Sequence, residues 1–207
     1  MNADYGTTTF VMDSGERYCL VINKTTGFPL FYPNLFLTTQ VRNTKSNSYS
    51  SILSVANNLV VLLRFLERRG IDLEQRIINR TFFEVHELDD LRDFTQKKFL
   101  SIPIYKSIFP KFLPDKLEEI KEVVESPTQY IRLTTIAEYF QWFANHMISR
   151  PSSIEANQIY RIETQIKSRR PPRKGRNKTQ DRSLDDIQLE SLFEVIRIGS
   201  ECNSPLK

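Results

Sequence analysis

Apolar residues recur at three- and four-residue steps through most of this chain and alternate at two-residue steps only near its start. Over residues 47–69, Ile52, Val55, Leu59, Leu62 and Leu66 form a helical stripe that Leu53, Ala56, Val60 and Leu63 widen. A helix apolar around that much of its girth belongs at the centre of a core. Gly70 then stands where a helix ends in a left-handed residue. A second strong helix is predicted over residues 128–148, with Ile136, Tyr139, Phe140, Phe143 and Met147 on one side. Shorter helices are predicted at 33–41, at 73–79, at 84–99 with Leu88, Leu91 and Phe94 inward, and at 115–125, which Pro127 breaks. Residues 102–112, with Pro103 and Pro110, read as a loop. Ser152-Ser153-Ile154-Glu155 is a capping box opening a helix through Ile159, Ile162 and Ile166. A last helix, 183–198, has Asp185 and Asp186 at its positive end and Leu189, Leu192, Phe193 and Ile196 on one face.

The start of the chain is different. Residues 7–12 and 17–22 read as short strands around the turn signal Asp13-Ser14-Gly15. A second turn at 23–27 leads to Phe28-Pro29-Leu30-Phe31, whose proline suits an edge. The expected fold is mainly α: a β-hairpin or three-stranded flap at 1–32, a helical bundle at 33–168, a basic linker at 169–182 and one extra helix within 183–207.

Charge sharpens that division. The chain of 207 residues has a net charge of +4, but residues 161–182 hold nine Lys/Arg against two acids. Residues 1–160 are balanced, and 183–207 are acidic. From Pro171 to Arg182 no apolar side chain occurs beyond two prolines. Such a block is an arm for a polyanion or a solvated linker, and composition alone leaves both open. Six glycines argue against an all-β fold and against Gly-rich phosphate loops. Cys19 and Cys202 make no metal or disulfide pattern. The first residues lack the features of a secretory signal, and the longest unbroken apolar run, 59–63, is too short to span a bilayer. These features suggest the cytoplasm, with no membrane partner.

The usual catalytic signatures are missing. His86 and His146 are the only histidines, and neither sits at metal-ligand spacing. No Walker A, G-x-G-x-x-G or G-x-S-x-G occurs. Neither a cofactor nor a small-molecule substrate is expected.

The order of elements resembles the amino-terminal part of the tyrosine recombinases, the phage-integrase family. The likeness rests on three segments. Arg42-Asn43-Thr44-Lys45-Ser46-Asn47-Ser48-Tyr49 leads into Leu59-Val60-Val61-Leu62-Leu63-Arg64-Phe65-Leu66. Residues 131–143 resemble the segment before the interdomain linker, and Ser183-Leu184-Asp185-Asp186 looks like the opening of a catalytic domain. The resemblance implies a SAM-like core-binding domain that forms half of a clamp around duplex DNA. It also implies a role in integration and recombination of a mobile element, self-association on DNA, and a bacterial, nucleoid-associated setting. The family's catalytic residues, which act through a 3′-phosphotyrosyl intermediate, find no match. No G-L-R occurs, and neither histidine has Arg three residues on. They are expected beyond Lys207, so no tyrosine is nominated and these 207 residues are expected to be inert in cleavage.

On that resemblance the DNA-facing candidates are Arg42, Lys45, Asn47, Ser48 and Tyr49, then Arg132, Thr134 and Thr135, then Arg169, Arg170, Arg173, Lys174, Arg176 and Lys178. Asn47, Ser48 and Tyr49 open a helix, where free amides favour a phosphate; Asn47 or Ser48 equally suits an N-cap. Arg132, Thr134 and Thr135 could reach a groove or line an ordinary exposed face. The basic run would track the backbone, held extended by Pro171-Pro172. Two rivals stand beside this reading: a self-contained DNA-binding or architectural protein, and a helical protein–protein adaptor.

Overall fold

The computed structural model describes residues 4–44, 48–99, 123–172 and 186–196. They divide into two compact units, 1–173 and 174–207.

The first unit opens with an antiparallel hairpin, β1 (Tyr5–Val11) and β2 (Arg17–Asn23). Gly15, at φ 81°, closes its tip, a left-handed conformation glycine takes without strain. The expected third strand reduces to one bridge between Ile22 and Pro29. The hairpin is no detached arm: Tyr18, Cys19 and Val21 are buried in the common core.

Helix α1 (Phe31–Phe36) runs straight into a π-helical segment, Leu37–Asn43. The sequence predicts one plain helix here. In the structure the hydroxyls of Thr38 and Thr39 donate to the carbonyls of Asn34 and Leu35, crowding the regular ladder where it widens.

Helix α2 (Tyr49–Arg69) is the expected central helix. Its N-cap is Ser48, whose hydroxyl accepts from the Ser51 amide. It ends in a Schellman turn: Gly70, at φ 63°, donates to Glu67, and Ile71 donates to Leu66. By length and composition α2 could cross a membrane. Here Ile52, Leu59, Leu62 and Phe65 lie at the bottom of the core.

Helix α3 (Leu73–Ile78) is capped by Asp72, which accepts from the Gln75 amide at 3.0 Å. Helix α4 (Val85–Thr95) stops before the predicted residue 99, and Lys97 instead bridges to Val123. Of the predicted 102–112 loop and 115–125 helix, all but residues 123–125 lie outside the described residues. Those three are not helical: Val123 bridges and Glu125 is the extended N-cap of α5 (Ser126–Met147). Pro127 falls in the first turn of α5, where its missing N–H costs nothing, so it starts a helix rather than ending one.

Helix α6 (Ser153–Ser168) begins at the Ser152/Glu155 capping box and packs along α5. Helix α5 packs against both α2 and α6, and Leu59, Leu133, Ile136, Phe140, Ile159 and Ile166 on these helices are all nearly inaccessible. Helix α7 (Asp186–Ile196) belongs to the second unit. The chain is thus mainly helical with an N-terminal hairpin.

Candidate nucleic-acid interface

The nominated residues fall into three groups along the chain. In the first, Arg42 lies at the end of the π-helical segment. Its Nε and Nη2 grip the two carboxylate oxygens of Glu16, and its guanidinium sits 5.5 Å from the Tyr18 ring centroid. The bidentate pair holds the Glu16 carboxyl below its usual range. Arg42 therefore ties the hairpin tip to the helix. Ser48 is the N-cap, and Tyr49 packs partly against the core. Lys45 and Asn47 lie outside the described residues.

The second group is on α5, and the core takes most of it. Thr135 is buried, and its hydroxyl accepts from Asn58 Nδ2 at 3.1 Å. It cannot reach a groove. Arg132 turns back to the end of α4, donating to the carbonyls of Thr95 at 2.7 Å and Lys97 at 2.8 Å. Desolvation there lowers its pKa. Thr134 is half-buried and donates to the Tyr130 carbonyl, one turn back.

The third group sits where α6 ends. Arg169 Nε donates to Asp89 at 2.8 Å, and its Nη1 to the Gln165 carbonyl at 3.0 Å. Arg170 stacks 4.6 Å from the Tyr130 ring centroid, donates from Nε to the Lys167 carbonyl, and reaches Thr134 Oγ1 at 3.3 Å. Arg169 lowers the pKa of Asp89. Both arginines belong to the body, so the linker proper starts at Pro171. Arg173, Lys174, Arg176 and Lys178 lie outside the described residues.

Other cations keep their charge for solvent. Arg17, Arg68, Lys98, Arg150 and Arg161 are exposed and make no ion pair among the described residues. Sequence reasoning missed them because an isolated surface Arg carries no local signal. Among the described residues no three His, Cys, Asp or Glu gather as a metal site. His86 is exposed beside Glu84, and His146 stacks on Trp142 with ring centroids 5.2 Å apart.

What the arrangement provides is a fixed departure point. The last turn of α6 is closed by Arg169 and Arg170, which reach the start of α4 and the first half of α5. The two prolines and the basic run follow from that point. Comparison with known protein families, with curated proteins and with solved structures finds no match.

Proposed function

We propose that this chain is the DNA-binding amino-terminal part of a site-specific tyrosine recombinase, forming half of a clamp around duplex DNA. One observation carries the reading. Arg169 and Arg170 fasten the end of α6 to α4 and α5, so the chain enters Pro171-Pro172 from a defined position, and in the sequence Arg173, Lys174, Arg176 and Lys178 come next. A solvated spacer has no need of such a mooring, whereas an arm that must follow a phosphate backbone gains from one. Exposed Arg17, Arg68, Arg150 and Arg161 are further candidates for phosphate contact.

Selection of bound duplexes from a random library tests both halves of the proposal. A recombinase part returns a defined half-site, enriched as inverted pairs around a short spacer. An architectural protein returns no sequence, and an adaptor returns no DNA. Log affinity should fall with log salt by about 0.9 per phosphate contact. Replacing Arg173, Lys174, Arg176 and Lys178 with Ala should flatten that slope and weaken all duplexes alike. An unchanged slope would make the run a spacer and sink the reading.

A further inference from the structure

The outer edge of the hairpin has no part in the DNA reading. Strands β1 and β2 pair with Tyr5 opposite Asn23 and Val11 opposite Arg17. Two backbone bonds set the phase of this ladder: the Lys24 amide donates to the Asp4 carbonyl at 2.7 Å, and the Met12 amide to the Glu16 carbonyl at 2.8 Å. In an antiparallel pair, residues that exchange bonds with the partner alternate with residues whose N–H and C=O point away. Asp4 and Met12 therefore put Gly6, Thr8 and Phe10 on the bonded side. The backbone N–H and C=O groups of Tyr5, Thr7, Thr9 and Val11 point away from β2. Tyr5 obeys this phase, since its carbonyl accepts from Arg64 Nη2 at 2.9 Å, outside the ladder.

The sheet has two strands, so among the described residues the backbone groups of Thr7, Thr9 and Val11 have no strand to pair with. Thr9, Phe10 and Val11 are exposed, Val11 at 63%. Natural edges are usually blunted by a charge, a proline or a bulge. Arg64 occupies the Tyr5 end of this edge, but from Thr7 to Val11 it has neither charge nor proline, and its pairing register is unbroken.

We propose that this edge pairs antiparallel with the same edge of a second copy of the chain, joining two hairpins into a four-stranded sheet across a two-fold axis. The sequence of the edge suits itself. With Thr9 opposite Thr9 of the second copy, Thr7 meets Val11 and Thr8 meets Phe10. Those are β-branched residues against aliphatic and aromatic ones, the pairs that stabilise a sheet. Asp13 then falls beside Tyr5 of the second copy, and no like charges meet. The outward groups of Thr7, Thr9 and Val11 all gain partners, as an isologous contact requires. The pairing is independent of the DNA reading and is tested without DNA.

Sedimentation equilibrium on the full chain should show a concentration-dependent dimer. Thr9→Lys and Val11→Lys each put a charge on the edge and should weaken it by about tenfold or more. Circular dichroism should show both variants folded. Thr9→Cys in a Cys202→Ser background should form a disulfide dimer on mild oxidation, because paired strands bring the two Cα atoms to about 5.5 Å. Thr25→Cys, exposed in the turn after β2, should not crosslink in the same background. A chain that stays monomeric at every concentration overturns the proposal. So does a dimer that both lysine variants leave intact, or a Thr9→Cys protein that crosslinks no faster than Thr25→Cys. If a lysine variant fails to fold, the crosslinking comparison decides alone.

Discussion

Arg132 caps the helix that ends at Thr95: a single guanidinium nitrogen donates to the Thr95 carbonyl at 2.7 Å and to the Lys97 carbonyl at 2.8 Å. The last carbonyls of a helix lack partners within it. A cation supplied from α5 satisfies the last of α4, at Thr95, and its guanidinium also lies 5.9 Å from the Phe99 ring centroid. Arg132→Ala should therefore lower stability by about 1.5–3 kcal/mol, the range for hydrogen bonds to a charged group. Denaturant titration measures it. With the fold intact, DNA affinity should change no more on a selected site than on random duplex. A site-specific loss would return Arg132 to base readout.

Asn58 and Thr135 form a buried polar pair between α2 and α5. Thr135→Val keeps the shape but strands the Asn58 amide, which should cost about 1–3 kcal/mol. Adding Asn58→Leu removes the orphan and should recover part of that loss. A double-mutant cycle with no coupling between the positions would contradict this account.

Arg80 holds a left-handed backbone, φ 59°, at the end of α3. Its amide donates to Ile77 and the next amide to Arg76, the Schellman pattern usually built on glycine. The side chain offsets the strain by pairing with Glu155 and donating to the Ile77 and Ile78 carbonyls. Arg80→Ala loses these bonds and keeps the strained backbone. Arg80→Gly loses the bonds but relieves the strain. Thermal unfolding should rank wild type above Arg80→Gly, and Arg80→Gly above Arg80→Ala, the two variants differing by about 1 kcal/mol.

Glu155 accepts from the Ser152 amide at 2.7 Å and pairs with Arg80, and its pKa falls from 4.5 to about 2. A carboxyl depressed in the folded state stabilises fully above its unfolded pKa, and that contribution is lost as pH falls through the folded value. The loss should occupy the window from about 4.5 down to about 2. Carboxyl NMR should place the Glu155 midpoint near the lower limit. Glu155→Gln should flatten the acid limb of stability against pH, and an unaltered limb would show that the pair contributes nothing.

Much of the fold was legible locally. The stripe from Ile52 to Leu66, the stop at Gly70 and the Ser152/Glu155 box each act within one or two turns, so side-chain spacing and capping chemistry reveal them. The hairpin turn at Gly15 was legible for the same reason. Less was legible where a local signal has two outcomes. Pro127 suits the first turn of a helix as well as the end of one, and the partner of its turn decides which. Arg80 at positive φ carries no signal, because its strain is offset by Glu155, 75 residues away.

The candidate site shows the same limit more sharply. Sequence alone determined that positive charge collects within residues 161–182, that the segment from Pro171 to Arg182 has no apolar side chain beyond its prolines, and that the helical body has a core of its own. Tertiary structure decided which of the candidate DNA-facing residues are already engaged. Arg42 is taken by Glu16, Arg132 by the Thr95 and Lys97 carbonyls, and Arg169 by Asp89, while Thr135 disappears beneath Asn58. An arginine reads the same in the sequence whether it meets a phosphate or a carbonyl. Only the packing of distant elements brings it to an acceptor, and a charge-assisted hydrogen bond then holds it there.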